Sequence, residues 1–403
     1  MKRTIATFIC TLFAAAVMAQ DEGGYTFTDT KTVPVTPVRN QASSGTCWSF
    51  SGLAFLESEI LIAGGPETDL SPMWVVRHAY YDRAVKYVRM HGTSSLSGGA
   101  AAEDVFICWR RHGIVPTEVY PGIGYGEELH RHGELDGVIK SYCDAVIKNP
   151  NKKLSTAWLA GLDGILDAYL GEAPETFTYN GKQYTPQSFA ASLPVDLDNY
   201  VSLSSFTHHP FYTWFVVEVP DNTVWGESFN IPLDEMMSAM EGAVNAGYPV
   251  LWASDVSEKG FAWRKGFAVV PDEGLTRMDD SELARWVALS QAEKDAALYK
   301  LDKPGPEKEI TQQMRQEAFD NWETTDDHGM EIMGTATDQD GNKYFKVKNS
   351  WGSDGHVYGG YFYASYPFAA YKTISVVVNK NTLPKNLKKN LGIQEFKNEK
   401  INL

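Results

Sequence analysis

Any fold of this chain has to bring together three segments that lie far apart along it. The first is Asn40-Gln41-Ala42-Ser43-Ser44-Gly45-Thr46-Cys47-Trp48-Ser49-Phe50, a small-residue approach to a run with helical periodicity. The second is Asp326-Asp327-His328-Gly329-Met330, just ahead of a strand-like run. The third is Lys348-Asn349-Ser350-Trp351-Gly352, one hairpin later. Cys47 and His328 are 281 residues apart, and His328 and Asn349 are 21 apart.

The residue types in these segments complement one another chemically. Free backbone N–H groups at a helix start favour a thiolate over a thiol, and the thiolate is the nucleophile. A thiol nucleophile needs a base, which His328 offers. An Asn349 amide oxygen can accept from the imidazole and fix its tautomer. Gln41, six residues before Cys47, can donate its amide to an oxyanion, with the Cys47 N–H as second donor. Gly45 lets the backbone pass close to a ligand. Each feature alone is ordinary, since the chain has 9 His and 4 Cys. The joint order and spacing are what is specific.

Composition narrows the setting. A chain of 403 residues accommodates two or three domains, or one large enzyme fold with insertions. With 43% hydrophobic and 12% aromatic residues it is no disordered chain. A formal charge of −15 argues against a general nucleic-acid binder. Lys2 and Arg3 precede a 13-residue apolar run, Ile5 to Val17, and then Val17-Met18-Ala19 with small residues at the cleavage positions. This is the pattern of a signal peptide ending near Ala19, and the run is too short for an ordinary membrane span. Its removal predicts an exported chain, periplasmic or secreted. Cys10 would leave with it, so Cys47, Cys108 and Cys143 remain. An odd number suggests a free thiol. A Cys108–Cys143 disulfide is left open by the sequence.

Apolar spacing predicts helices over Ser49–Ala63, Ser71–Met90 with Ser71 as cap and Pro72 at the first position, Ala101–His112, Ala157–Leu170 and Asp234–Ala246. Asn180-Gly181 marks a hairpin. Strands are predicted at Phe211–Val219, Pro249–Ala253, Gly329–Thr337, Tyr344–Lys348, Gly360–Ala364 and Thr373–Val378. Residues 279–325 read as charged helices broken at Pro304-Gly305-Pro306. Leu383, Leu387 and Leu391 recur every four residues, suiting a short amphipathic helix in a basic tail.

The three segments together resemble the papain-like cysteine peptidases. Within them, Gln-x-Ser-Ser-Gly-x-Cys-Trp (Gln41 to Trp48) and the long interval to His328 are most similar to the bleomycin hydrolase and aminopeptidase C branch. Leu96-Ser97-Gly98-Gly99, Arg111 to Pro116, Tyr184 to Phe189, Val250 to Val256 and Ile374 to Asn379 continue the resemblance, over roughly residues 35–392. It implies an α+β fold of two lobes, one helical and one barrel-like β, with helical insertions. The helical lobe is placed at 20–124, the β lobe at 206–270 and 326–382, insertions at 125–205 and 271–325, and a tail from 383. It implies Cys47 as nucleophile, His328 as general acid/base, Asn349 as its orienting partner and Gln41 in the oxyanion hole. Trp351 would shield the His328–Asn349 pair, and Trp48, Gly98 and Gly99 would line the substrate cleft with it. Neither metal nor organic cofactor is implied. Peptides are the implied substrates, no strong nucleic-acid or membrane binding is expected, and homo-oligomerisation is left open.

The chain also departs from that branch. In the family the terminal carboxylate of a C-terminal arm holds the substrate's free amine. Here the tail continues through Gln394-Glu395-Phe396-Lys397 to Leu403, which is not the usual ending. Ala100-Ala101 replaces a large residue after the glycine pair. Three readings therefore stand side by side: an aminopeptidase, an endopeptidase with an open cleft, and a non-proteolytic binding or acyl-transfer protein.

Overall fold

The protein is described by a computed structural model that covers residues 24–392 apart from 102, 276 and 277. The proposed signal segment and the tail residues Gln394 to Leu403 lie outside the described residues. The first half of the chain holds strand β1 (Phe27–Thr32) and helices α1 (Cys47–Ile62), α2 (Pro72–Arg89), α3 (Glu103–His112), α4 (Gly133–Ile147), α5 (Ala157–Leu170) and α6 (Pro186–Ala190). A small hairpin, β2 (Phe177–Tyr179) and β3 (Lys182–Tyr184), precedes α6. The second half holds strands β4 (Tyr200–Ser204), β5 (Trp214–Val216), β6 (Glu227–Asn230), β7 (Val250–Ser254), β8 (Phe261–Ala262) and β9 (Phe267–Ala268). It continues with β10 (His328–Asp338), β11 (Lys343–Lys348), β12 (Tyr361–Ser365) and β13 (Thr373–Asn379). Helices α7 (Leu233–Asn245), α8 (Asp280–Ala288), α9 (Gln291–Leu298), α10 (Gln312–Asp320), α11 (Tyr366–Lys372) and α12 (Lys385–Asn390) are set among these strands.

Local chemistry accounts for the clearest boundaries. Ser71 accepts from the Trp74 N–H at 3.0 Å, with Pro72 at the first helical position, so α2 starts where its cap dictates. Thr185 and Ser188 form a reciprocal capping box that starts α6. Asn180 and Gly181 both adopt positive φ, 49° and 74°, which suits the tight β2–β3 turn. Helix α1 differs from its neighbours, because it is buried on nearly every side, from Trp48 through Ile60. Such a helix belongs at the centre of a molecule.

Among the described residues the main sheet has eleven strands, in the order β5-β6-β4-β13-β7-β10-β11-β12-β9-β8, with β1 pairing against β10. Pairs β4·β6 and β12·β9 are parallel and the others antiparallel. Side chains alternate across the sheet. Leu251 and Val377 join the core built with α1, whereas Val250, Trp252, Val376 and Val378 face the core built with α7. Helix α7 meets that face with Met236, Ala239, Met240, Ala243 and Val244, at helical spacing.

The segment boundaries differ from the sequence expectation in three places. Leu135, Ile139 and Cys143 of α4 and Leu162, Leu166 and Leu170 of α5 share one core with α1 and α2. Residues 133–170 are therefore integral to the helical lobe instead of an appended insertion, because each helix contributes three buried apolar residues to that core. Residues 27–32, expected in the helical lobe, pair with β10 in the sheet. Helix α10, expected in a solvated insertion, packs Ala318 into the sheet core. Its Arg315 is fully buried, donating to the carbonyls of Ser205 and Ala370. The strand expected over Phe211–Val219 shortens to Trp214–Val216, and α4 was not anticipated. Cys108 and Cys143 are both free and buried, so no disulfide links them.

A seam of buried polar groups joins α1 to the sheet. Glu57 pairs with Arg39 at 2.5 Å and accepts from Thr36 at 2.6 Å. Ser58 donates to Glu331 of β10 at 2.5 Å, and Lys348 of β11 lies 3.4 Å from Glu331 and donates to Thr36. These bonds fix the position of α1 along β10, and so fix what their first residues present to each other.

Candidate active site

Cys47 is the first residue of α1 and His328 is the first residue of β10. Thr46, the residue capping α1, makes no side-chain cap bond, since its hydroxyl is engaged with Ser44. The Cys47 and Trp48 N–H groups at the first helical positions are thus left without intrahelical acceptors. The backbone N–H groups of Trp48 and Gly329 point at the Cys47 sulfur. Gly329 permits this closeness. A Cβ there would lie 2.7 Å from the Ser51 hydroxyl and 3.3 Å from the Trp48 Cα. Gly45, at φ +65°, makes the turn into α1 beside Gly98.

His328 is 4% exposed, and its Nε2 lies 2.7 Å from the Asn349 Oδ1. With the amide oxygen as acceptor, Nε2 carries the proton and Nδ1 is left as the basic atom. The Asn349 Oδ1 also accepts from the Ser350 N–H at 2.7 Å, which holds the amide in that orientation. The Trp351 ring sits 4.6 Å from the imidazole, centroid to centroid, and is itself packed on Trp263 and Phe261. Gln41 is buried. Its side-chain oxygen accepts from the Ser350 hydroxyl at 2.6 Å, and its backbone N–H donates to the Ser350 carbonyl at 2.8 Å. Ser350 therefore commits the oxygen end of Gln41 and leaves the NH₂ end for the cleft.

All of these groups border one cleft of about 490 Å³, lined by Gln41, Cys47, Trp48, Gly99, His328 and Trp351 among others. Gly98 is not among its lining residues. The Gly98 carbonyl accepts from the Trp48 indole at 2.9 Å, and its Cα faces Ser44 and Tyr80, so it braces the wall from behind. Trp48 is likewise mostly buried, with its indole committed to that brace.

The electrostatics differ from the sequence expectation. Burial pushes the Cys47 thiol up to about 12, outweighing the two N–H groups that lower it. Nearby carboxylates, Asp326 and Asp221, raise it further. Burial also holds the His328 imidazole down, to about 4, against the upward effect of Asn349. Burial thus works against the charged form of both groups, and opposes the thiolate that the helix N-terminus favours.

Sequence reasoning missed four residues at this site. Ser350 and Gly329 lie inside quoted motifs but act through neighbours, which spacing does not reveal. Asp326 precedes His328 by two positions and lines the same cleft. Asp221 lies in a loop with no motif. Burial raises both of these carboxyls, Asp326 to about 8. For metals, the described residues hold one candidate group, His208, His209 and Glu218. It is already joined by hydrogen bonds of 2.7 and 3.2 Å and lies outside the cleft lining.

Comparison with known proteins follows the same lines. The model of the papain family cysteine protease matches residues 26–153, which include Cys47. That of the peptidase C1-like family matches residues 281–401, which include His328 and Asn349. Aminopeptidase C of Lactobacillus delbrueckii subsp. lactis is 24% identical over 400 residues, covering 87% of this chain and 81% of the relative. Bleomycin hydrolase of Rattus norvegicus is 22% identical over 403 residues, covering 87% and 82%. Cysteine proteinase 1 of Entamoeba histolytica is 30% identical over 138 residues, and this chain spans only 40% of its length. The crystal structure of PepW from Lactobacillus rhamnosis superposes with a TM-score of 0.66 at 21% identity, covering 91% of this chain and 84% of that one. That likeness shows a shared fold. With the cysteine, histidine and asparagine segments gathered at the junction of a helical lobe and a sheet, the chain carries papain-type cysteine peptidase segments at both its nucleophile and its base and is similar over most of its length to aminopeptidase C and bleomycin hydrolase.

Proposed function

We propose that this protein is an exported cysteine aminopeptidase that removes residues from the amino end of peptides. The observation that carries the chemistry is the His328–Asn349 bond of 2.7 Å at the edge of a cleft whose sulfur receives the Gly329 N–H. His328 Nδ1 takes the Cys47 proton as the sulfur attacks the scissile carbonyl. The Cys47 N–H and the Gln41 amide receive the oxyanion. The His328 imidazolium then protonates the leaving amine, and a water activated by the same imidazole hydrolyses the thioester. Asn349 holds the tautomer throughout, and Trp351 keeps water from the His328–Asn349 bond. The aminopeptidase reading draws on the two relatives aligned over most of the chain, one of which is named for that activity. Export draws on the segment up to Ala19.

The test is hydrolysis of two matched fluorogenic peptides by the mature, reduced protein, one with a free amino terminus and one blocked. Release from the free-amine substrate alone, abolished in Cys47→Ala, is expected. Release from the blocked peptide would identify an endopeptidase. No release from a broad panel would favour binding or acyl transfer.

A further inference from the structure

The cleft holds more carboxyl groups than the reaction described so far uses. Glu103, Asp221, Asp326 and Asp327 line it, while no lysine or arginine does so among the described residues. Two of the four are already engaged. Asp327 accepts from the Val256 N–H at 2.8 Å, and Glu103 is bonded to Ser202. Asp221 and Asp326 have no hydrogen bond or ion pair among the described residues. Arg83 acts on Asp221 through space, its Nη1 donating to the carbonyls of Ser97 and Gly99 while its buried Nη2 has no hydrogen-bond partner among the described residues. Asp221 and Asp326 act on each other, and both act on the Cys47 sulfur. Both carboxyls therefore face the same cleft with no cation bonded to either among the described residues, Arg83 bearing on Asp221 from the wall behind.

The wall carrying Asp221 is built to stay in place. Residues 217–226 leave β5, cross the cleft and return to β6. Asn222 knits this loop internally, bonding the Val217 and Gly226 carbonyls at 3.0 and 2.9 Å and accepting from the Gly226 N–H at 2.8 Å. Lys86 of α2 ties it to the helical lobe, donating to the Thr223 carbonyl and lying 3.5 Å from the Trp225 ring centre. The loop is a strap between the lobes. Its Asp221 carboxylate covers Gly99 so closely that a Cβ there would sit 1.9 Å from Oδ2. Since the Gly99 carbonyl is engaged by Arg83, the edge on which an extended peptide would pair is covered on its face and occupied at its acceptor.

We propose that Asp221 and Asp326 together anchor the free α-ammonium of the substrate's first residue, and that the 217–226 strap ends the cleft just beyond it. The inference rests on the aminopeptidase reading and adds the group that recognises the amine. It places that recognition in the cleft wall instead of in a terminal carboxylate. The α-nitrogen is the right cation for geometric reasons. It is two bonds from the carbonyl carbon that the sulfur attacks, so its anchor must be near enough for the sulfur to feel its charge. A lysine or arginine side chain carries its charge much further from that carbon. A docked ammonium would also cancel the field that opposes the thiolate, so the correct substrate would ease the first proton transfer.

The test reads the site without turnover. Cys47 of the reduced full chain is alkylated with phenylalanine chloromethyl ketone and with its N-acetyl analogue, and iodoacetamide serves as an uncharged probe. The free-amine reagent is expected to react at least about tenfold faster than the acetylated one, as a charged hydrogen bond implies. Asp221→Asn and Asp326→Asn should each bring that ratio towards one. Iodoacetamide should react with both variants at least as fast as with the wild type, which also reports an intact site. A ratio unchanged in both variants would overturn the proposal. So would a ratio abolished instead by a three-residue extension after Leu403, which would assign the amine to the tail. If the ratio collapses in the variants but the wild type hydrolyses no free-amine substrate, the anchor stands and the peptidase reading falls. If hydrolysis prefers free amines equally in wild type and variants, the peptidase reading stands and the anchor falls.

Discussion

At the scale of single residues, the site works through pairs in which one member acts and the other holds it. Ser350 holds Gln41 by a 2.6 Å bond to its oxygen, so Ser350→Ala should let the amide rotate. The expected result is a fall in kcat of about tenfold with KM nearly unchanged, as for partial loss of an oxyanion donor. Steady-state kinetics on a free-amine substrate checks it. Asp326 shows the cost of such a site. Burial raises its folded-state pKa from 3.8 to about 8, while the unfolded chain ionises near the ordinary value. Between these two values the folded state binds the extra proton, so stability falls as pH rises from about 4 to about 8. Asp326→Asn should therefore raise Tm at pH 8 by a few degrees and change it less at pH 4.5. A thermal melt at both values measures the difference. A variant that melts alike or lower at pH 8 would show that the carboxylate is not under this penalty.

At the scale of elements, reactivity depends on how closely the start of α1 approaches the start of β10. Gly329→Ala puts a methyl 2.7 Å from the Ser51 hydroxyl and against the Trp48 backbone. Overpacking of this kind costs about 1–3 kcal/mol. A small displacement of the sulfur from the imidazole should lower kcat by about a hundredfold, far more than the stability loss would suggest. Kinetics and a denaturant titration on the same preparation separate the two effects. This is also where the limits of the sequence are clearest. The α2 start was legible because Ser71 and Pro72 encode it locally, and the β2–β3 turn because Asn180-Gly181 does. Cys47, His328, Asn349 and Gln41 were legible because their chemistry forces a distinctive order. The strand expected at Phe211–Val219 failed after Val216, because Val217 and Val219 turn into the cleft wall. Their apolar character comes from packing with Phe206, Phe215 and Ile374 beside the cleft and not from a ladder position of their own. Asp221 carries no local signal, since what singles it out is its position over Gly99, 122 residues earlier. Helix α4 was missed because its stripe is thin, Leu135, Ile139 and Cys143 being its buried residues.

At the scale of the whole molecule, buried polar bonds as well as apolar packing tie α1 to the sheet, and they end on an ion pair between neighbouring strands, Ser58 of α1 donating to Glu331 of β10. Glu331 is fully buried, with Lys348 as the cation beside it at 3.4 Å. Lys348→Met should cost about 3–5 kcal/mol, because it leaves a buried carboxylate unpaired. Lys348→Met combined with Glu331→Leu should recover much of that loss. A chemical-denaturation cycle over the four proteins tests it, and equal stability of single and double variants would show that Lys348 does not compensate the buried Glu331 carboxylate. No helix among the described residues is long and apolar enough to cross a membrane.

Cys108 and Cys143 are 3% and 0% exposed, packed inside the helical lobe, whereas Cys47 opens onto the cleft. An oxidant arriving from outside therefore meets one cysteine thiol among the described residues, and it is the one on which the reaction depends. Oxidation to a sulfenic acid or a mixed disulfide there would silence the enzyme without touching the packing of either lobe. A reductant would restore it without any refolding. The molecule would be an on–off element whose state is set at a single atom, read by the redox condition of the space it occupies.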